Sequence, residues 1–228
     1  MDDQITAAEA AGAAVYTPGF LRFYDLLVLG FNNRIVWRCP TTNLLQQYDS
    51  NVSGNHLDIG PGTGYMLARA QFPTTAPVAV ALLDLNPSPL QAASAVLRTR
   101  GIEPTTHEGS VLRPLPLSSQ VDSVAASLLM HCVPGTWSEK GVAFQHIANV
   151  VTDDGVFFGS TVLDSPSTVL SRAVGSFFRS RGAFHNGADD EPGLRRALEA
   201  AWSEVTVSRV GQLALWSARG PKRTPVGP

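Results

Sequence analysis

The sequence is poor in cysteine, has almost no charge imbalance and contains no long apolar run, and each absence excludes a class of protein. Cys39 and Cys132 are its two cysteines; they lie far apart and outside any metal-ligand spacing, so neither a disulfide framework nor a structural zinc site is expected. With 17 Lys and Arg against 19 Asp and Glu, the net charge is −2, which disfavours nucleic acid and anionic membranes as partners. The longest strongly apolar stretch, around residues 78–83, is much shorter than the ~20 residues that span a bilayer.

What the sequence does contain is typical of a soluble protein with a packed core. Hydrophobic residues make up 44% of its 228 residues, which is too many for a disordered chain. The first residues, Met1-Asp2-Asp3, are acidic where a secretory leader would be basic, so a cytoplasmic location is expected.

We predict a single domain over residues 1–228, because a chain of this length favours one domain with limited additions. Its segments are an N-terminal tail (1–14), a helical cap (15–50), a core (51–163), a lid-like helix-loop-helix insertion (164–200), a C-terminal hairpin (201–219) and a second tail (220–228).

The hydrophobic period alternates between 2 and 3.6 residues, which predicts an α/β fold with a parallel sheet. Strands are predicted at residues 56–59, 78–85, 121–129 and 156–163, with a turn at 153–155, and the hairpin is predicted to pair residues 205–210 with 213–218. Helices are predicted at residues 20–27, 35–48 with an interruption at Pro40, 65–72, 88–97, 144–151, 170–178 and 194–202.

The strongest chemical signal is the segment Asp58-Ile-Gly60-Pro-Gly62-Thr-Gly64 at a predicted strand-to-helix junction. Glycines there permit positive φ angles and let the backbone approach a ligand closely. A dinucleotide fingerprint that began at Gly60 would need glycine where Tyr65 stands, and the Gly-Lys-Ser/Thr of a phosphate loop is absent. The carboxylate of Asp58 would repel a pyrophosphate and suits a ligand with an ammonium group.

A second signal is Asp84, which ends the next predicted strand, 20 residues after Gly64. A carboxylate at the tip of that strand can accept hydrogen bonds from both hydroxyls of a ribose. The two signals together describe an adenosine-type ligand with a cationic tail that lacks phosphate. S-adenosylmethionine fits this description.

With these motifs in order, residues 54–163 resemble the class I S-adenosylmethionine-dependent methyltransferases, in particular the small-molecule group of methyltransferase types 11 and 12. The resemblance rests on the glycine motif, on Asp84, on Gly109-Ser110-Val111 as the third-strand motif, and on residues 121–135 as the fourth-strand motif. Ser110 is a departure, since the family commonly has aspartate there.

The resemblance implies a Rossmann-like, seven-stranded, mostly parallel sheet with helices on both faces, an antiparallel C-terminal hairpin, an N-terminal helical cap and a helical insertion before the hairpin. It implies S-adenosylmethionine as the cofactor. The residues it places at the cofactor are Tyr24, Asp58, Gly60, Pro61, Gly62, Gly64, Asp84, Leu85, Asn86, Gly109, Ser110, Val111, Ser127 and Leu128.

On the acceptor side, His131 is the candidate general base, because it follows the fourth strand and imidazole titrates near neutrality. A histidine packed under a loop is an equally good interpretation. Tyr16, Phe184 and His185 are candidate substrate contacts. The aromatic caps around the core predict a small, mostly apolar acceptor, and they leave O-, N- and C-methylation open.

Several alternatives are weighed against this hypothesis. The acidic run 189–191 is predicted to be solvated, and no metal is expected. A methyltransferase-like protein that binds S-adenosylmethionine without transferring its methyl group is the competing function, and a nicotinamide-dependent reductase is disfavoured by Tyr65. The sequence leaves a homodimer open.

Overall fold

The computed structural model describes residues 33–73, 78–166 and 168–223, and these form a sheet with helices around it. The strands are β1 Asn55–Ile59, β2 Ala79–Asp84, β3 Thr105–Glu108, β4 Val121–Ser127, β5 Val151–Val162, β6 Trp202–Val210 and β7 Leu213–Pro221. Their order is β3-β2-β1-β4-β5-β7-β6. Strands β1 to β5 pair in parallel, and β7 is antiparallel to both of its neighbours. The predicted seven-stranded sheet and antiparallel hairpin are confirmed.

The α-helices of the described ranges are α1 Thr41–Asn51, α2 Tyr65–Arg69, α3 Pro87–Thr99, α4 Trp137–Lys140, α5 Val142–Val150, α6 Val169–Ser180 and α7 Glu191–Ala201, with a π-helical turn at residues 33–36 and a 3₁₀ turn at Met130–Cys132. Local sequence explains where two of them begin. The Asn86 side chain accepts a 2.8 Å hydrogen bond from the backbone N–H of Ser88, and Pro87 occupies the first turn, where its missing N–H costs nothing. Asp190 caps α7 in the same way, through the N–H of Gly193.

The core lies on both faces of the sheet, because successive residues of a strand point to opposite sides. On β5, Phe157 packs against Trp202 and Trp216 on one face, with ring centroids 5.7 Å away in both cases. Its neighbour Phe158 lies on the other face, 5.1 Å from the ring of Tyr48. Strands covered on both faces appear in the sequence as continuous apolar runs, which is why β2 could be predicted.

The helical segment predicted at 35–48 is interrupted at Pro40 as expected: a π-helical turn covers residues 33–36, and α1 begins at Thr41. Pro40 has ψ 139° at the N-cap position of α1, and a proline disfavours helical geometry in the residue before it. The helix predicted at 65–72 ends at Arg69, and the next residue, Ala70, is already extended with ψ 138°.

The turn predicted at 153–155 is wrong. Strand β5 runs without a break from Val151 to Val162, and the pairing with β4 shifts register between Val121 and Ser123. The polar residues Asp153 and Asp154 are exposed within this irregularity, so a β-bulge, which leaves extra residues unpaired, accounts for a sequence that is typical of a turn.

The two ends of the chain were predicted to be tails, and the structure describes part of the C-terminal one. The predicted tail 1–14 and helix 20–27 lie outside the described residues. At the other end, β7 extends to Pro221 and the N–H of Lys222 donates to Ala201 O, so the predicted second tail begins inside the sheet. None of the helices in the described ranges has the length and apolar character needed to cross a membrane.

Candidate active site

A cleft lies at the carboxyl ends of β1, β2 and β4, where the predicted motifs meet. Ten of the predicted cofactor residues line it: Gly60, Pro61, Gly62, Asp84, Leu85, Gly109, Ser110, Val111, Ser127 and Leu128. Asp58, Gly64 and Asn86 lie next to it without lining it, and Tyr24 lies outside the described residues. The topology therefore brings four sequence-distant segments to one end of the sheet.

The loop between β1 and α2 requires glycine for two reasons: its backbone has positive φ angles, and added Cβ atoms would collide with neighbouring residues. Gly60, Gly62 and Gly64 have φ of 68°, 57° and 78°, in the left-handed region that favours glycine. A Cβ on Gly60 would lie 2.8 Å from Cδ1 of Leu129, and one on Gly64 would lie 2.8 Å from Cα of Ala93. The loop is thus held against its neighbours and presents backbone to the cleft.

Asp84 presents a carboxylate to the same cleft. Its Oδ1 accepts a 2.8 Å hydrogen bond from the backbone N–H of Asn86. Burial raises the pKa of Asp84 to about 6, and the negative charge of Asp58 adds to this effect, while the backbone N–H groups of Asn86 and Leu85 oppose it. A carboxylate that is costly to ionise in the free protein gains from hydroxyl donors supplied by a ligand.

Asp58 was expected to present its carboxylate to the ligand, but it lies beneath the cleft and does not line it. It is 2% exposed, and its Oδ2 accepts a 2.8 Å hydrogen bond from the hydroxyl of Tyr48. Tyr48, on α1, lines the cleft and was not among the predicted site residues. The sequence offered a single signal for it, its four-residue spacing from the buried Leu44, and that signal indicates only a buried helix face.

The third-strand motif lies beside Asp84. The N–H of Gly109 donates to Asp84 O at 3.0 Å, which joins the ends of β2 and β3. Ser110 is buried, and its Oγ accepts from the N–H of Leu112 at 3.0 Å. Its contact with the adenine remains a prediction.

The end of β4 contains a strained residue. Leu128 has φ 56°, which is unusual for a residue with a branched side chain. Its N–H donates to the backbone oxygen of Ser160 at 2.8 Å, and the hydroxyl of Ser160 lies 3.0 Å from that of Ser127. The neighbouring β5 thus holds this conformation. The wall continues with four residues that were not predicted, Leu129, Cys132, Val133 and Pro134.

His131 is buried beneath this wall and does not line the cleft. Its Nδ1 lies 3.4 Å from the backbone N–H of Val162 and 3.5 Å from the hydroxyl of Thr161. Burial, followed by the nearby charge of Lys140, lowers the pKa of His131 to about 3. The imidazole is therefore neutral at physiological pH, and its catalytic role stays a prediction.

The predicted substrate contacts lie near His131 and outside the cleft lining. The ring of Phe184 is 4.4 Å from that of His131 and stacks on Phe178 at 4.8 Å. The N–H of His185 donates to the carbonyl of His131 at 2.7 Å. Tyr16 falls outside the described residues.

The acidic run 189–191 was predicted to be solvated, and this is wrong for Asp189. Its Oδ2 lies 2.6 Å from Nζ of Lys140, and both side chains are fully buried. Lys140 also donates to the carbonyl of Met130 at 3.0 Å. Asp190 and Glu191 begin α7. Within the described ranges no cluster of His, Cys, Asp or Glu is suited to a metal ion.

The residues of the cleft fit S-adenosylmethionine. The glycine loop lines the cleft with backbone, and Asp84 offers acceptors to ribose hydroxyls one strand away. Apolar residues after β4 face the remaining volume. A sulfonium cofactor without phosphate needs this combination and no cluster of cationic side chains.

Comparisons with known proteins agree with this geometry. Residues 57–159 match the family described as "Methyltransferase domain". The chain is 40% identical over 210 residues to demethylluteothin O-methyltransferase of Streptomyces thioluteus, covering 91% of this chain and 90% of that protein. It is 37% identical over 216 residues to the physcion biosynthesis cluster O-methyltransferase of Aspergillus chevalieri, covering 92% and 96%.

Solved structures share the fold at much lower identity. The complex of DhpI with S-adenosylhomocysteine superposes with a TM-score of 0.69 at 15% identity, covering 96% of this chain and 100% of that one. Since the sheet order, the cleft and the sequence relationships agree, the chain belongs to the class I S-adenosylmethionine-dependent methyltransferases that act on small molecules.

Proposed function

We propose that the chain methylates an acidic hydroxyl, phenolic or enolic, of a small and mostly apolar secondary metabolite. The observation that carries this proposal is the apolar wall after β4, formed by Leu128, Leu129, Val133 and Pro134 beside the glycine loop. Such a wall favours an apolar acceptor over a charged one. The names of two relatives, both O-methyltransferases, support oxygen as the methylated atom.

When bound, S-adenosylmethionine supplies an electrophilic methyl group on a sulfonium. The reaction is an in-line displacement, so the protein contributes chiefly by holding the acceptor oxygen in line and excluding water. We assign this positioning to the backbone of the glycine loop, to Asp84 and to the wall after β4. No covalent intermediate with the protein is required.

The surroundings of His131 support an acidic acceptor. A backbone N–H can only donate, so the contact of Val162 N–H with Nδ1 leaves the imidazole proton on Nε2. In this tautomer the ring is a hydrogen-bond donor. Its low pKa also makes it too weak a base for an ordinary alcohol, whereas a phenol or enol needs little assistance. We therefore propose that the acceptor supplies most of its own acidity and needs no strong protein base.

The test is turnover with a matched acceptor panel. Purified protein is incubated with S-adenosylmethionine and a naphthol, a hydroxypyrone, an aliphatic alcohol of similar size or an arylamine, and products are measured by mass spectrometry. We expect S-adenosylhomocysteine and a methyl ether from the first two alone. Methylated amine as the main product would refute O-methylation. Tight cofactor binding without any turnover would favour the competing hypothesis of a binding protein.

A matched variant controls for contaminating activity. In Gly60→Val the added side chain meets Leu129, because Cβ alone would lie 2.8 Å from its Cδ1, and φ is 68°. This variant should lose turnover with every acceptor. Turnover that persists in it would have to come from another protein in the preparation.

A further inference from the structure

A chain of buried polar groups crosses the α1 side of β1, directly beneath the cleft. The hydroxyl of Ser123 lies 2.8 Å from Nδ1 of His56, Nε2 of His56 lies 3.7 Å from Oδ2 of Asp58, and the hydroxyl of Tyr48 lies 2.8 Å from the same oxygen. All four side chains are 2% exposed or less. Burying this many polar groups in an otherwise apolar core is costly, so packing alone does not account for them.

The hydrogen positions follow from what each group can donate. The ionised carboxylate of Asp58 can only accept, so the hydroxyl of Tyr48 donates to it. Burial first, and then the Asp58 charge, raise the pKa of Tyr48 well above its ordinary value, which keeps this proton in place. For His56, a proton on Nε2 would face the carboxylate of Asp58 at 3.7 Å, whereas a lone pair there would be repelled. Nδ1 contacts the hydroxyl of Ser123, which also accepts from the N–H of Ser53 and lies 2.8 Å from the hydroxyl of Ser53.

Tyr48 is the one member of this chain that lines the cleft. Asp58 lies immediately before Ile59 and Gly60, which also line it, and its charge contributes to raising the pKa of Asp84. The negative charge of Asp58 is therefore felt inside the cleft although its carboxylate does not line it. Tyr48 and the glycine loop are at the β1 side of the cleft, while Asp84 is at the β2 side.

We propose that Tyr48 and His56 are positioning residues for the amino-acid end of S-adenosylmethionine, acting by holding the buried Asp58 carboxylate beneath the glycine loop. The cofactor's ammonium group is the complement of this buried negative charge. The adenosine half, placed at Asp84, does not depend on it. This inference rests on the proposed function, since it concerns how the same cofactor is held.

The test compares two ligands that differ only at the amino-acid end. S-adenosylhomocysteine has that end and 5′-methylthioadenosine lacks it, and both are titrated calorimetrically into the wild-type full chain and into Tyr48→Phe. The substitution keeps the ring and removes the donor to Asp58. We expect about tenfold weaker binding of S-adenosylhomocysteine, typical of losing a charge-assisted hydrogen bond, and less than about twofold change for 5′-methylthioadenosine.

A second variant and kinetics separate positioning from general damage. His56→Gln should weaken the same ligand selectively and by a smaller factor, about threefold, since Nε2 is 3.7 Å from Asp58. In both variants the KM for S-adenosylmethionine should rise more than kcat falls. Ser94→Ala is the matched control, because Ser94 is a buried hydroxyl of α3 outside the cleft lining, and it should leave both ligands unaffected.

The outcomes are distinct. Equal loss of both ligands in Tyr48→Phe, or no loss of either, would overturn the positioning role while leaving the proposed function intact. If Tyr48→Phe does not fold, His56→Gln provides the test. Equal loss of both ligands in His56→Gln, or no loss of either, would then overturn the positioning role. Wild-type protein that bound neither ligand would overturn the proposed function, and this inference with it.

Discussion

Burial makes ionisation of the Asp84 carboxyl unfavourable in the ligand-free protein. The hydroxyls of a bound ribose would donate hydrogen bonds to the ionised carboxylate and offset that cost. The pKa of Asp84 is raised to about 6 by burial, above the value of an exposed aspartate. For a group raised in this way, the folded state binds more protons than the unfolded state between about pH 4 and pH 6. Stability is therefore lost as pH rises through that window.

We expect Asp84→Asn to make the ligand-free protein more stable at pH 7.5 by about 1–2 kcal/mol, because the amide removes the cost of ionisation. The gain should shrink as pH falls from 6 to 4, where the wild-type carboxyl is already protonated in the fold. The same variant should bind S-adenosylhomocysteine about tenfold more weakly. Urea unfolding at several pH values, with calorimetric titration, measures both effects. A variant that is less stable at pH 7.5 would contradict the assignment.

His131 allows a second prediction at this scale. Because its pKa is lowered to about 3, the wild-type kcat should show no inflection near pH 6.5 from this group. His131→Asn should leave the shape of the profile between pH 6 and 9 unchanged, because the wild-type imidazole is already neutral throughout this range. The pH dependence of turnover in both proteins checks this. A wild-type inflection near 6.5 that is missing in the variant would restore the general-base hypothesis.

Residues of the cofactor loop could be predicted because their chemistry is local. Glycines at a strand end and an aspartate at the tip of the next strand can be recognised from the sequence without knowledge of the fold. Tyr48 was missed, since nothing near it in the sequence reveals that its hydroxyl meets Asp58, ten residues later. His131 was placed in the right segment, but its burial depends on Phe184 and Val162, which only the tertiary structure brings to it.

At the scale of elements, the buried pair Lys140–Asp189 joins the end of α4 to the segment that precedes α7. Lys140 also donates to Met130 O, so one ammonium group fixes the 3₁₀ turn after β4 as well. His185 adds a backbone hydrogen bond to His131 in the same region. The segment between α6 and α7 is thus tied to the wall of the cleft at two points.

We expect Lys140→Met to destabilise the protein by about 3 kcal/mol, because it leaves the carboxylate of Asp189 buried without a partner. Burial already raises the pKa of Asp189 to about 6 despite the opposing charge of Lys140. The double variant Lys140→Met with Asp189→Leu should recover much of the loss. Denaturant unfolding measures all three proteins.

The exposed pair Arg98–Glu103 is the matched control, since it has the same 2.6 Å separation with both side chains more than half exposed. Arg98→Gln should leave the unfolding midpoint unchanged within error. A loss in Arg98→Gln as large as that in Lys140→Met would show that burial is not what makes the Lys140 pair important.

The elements that sequence predicts well are those with a strong pattern of their own. β2 is a continuous apolar run and α5 has a clear helical stripe, so their positions follow from the sequence pattern. The start of β5 was missed because Asp153, Asp154 and Gly155 are typical of a turn, whereas they lie in the register shift between Val121 and Ser123 of β4. Asp189 was missed for a related reason: a lysine 49 residues away neutralises it, and no local pattern records that.

At the scale of the whole molecule, two clusters of buried hydrophobic residues pack on the same seven-stranded sheet. Trp202 and Trp216 belong to one cluster and Trp37 to the other. We expect a single cooperative unfolding transition, in which tryptophan fluorescence and far-ultraviolet circular dichroism coincide in urea. Trp37→Phe, which leaves the remaining tryptophans on one side, should give the same coincidence. Separate transitions would indicate that the predicted single domain consists of two folding units.

The order of the strands also determines when the sheet can close during synthesis. β7 lies between β5 and β6, yet it is made after both of them. As the nascent chain lengthens, β5 therefore exposes an unpaired edge and β6 has no neighbour until residues 213–221 emerge. Open strand edges pair readily with other chains. During the interval between the synthesis of β5 and that of β7, the nascent methyltransferase therefore presents strand edges that can pair with other chains.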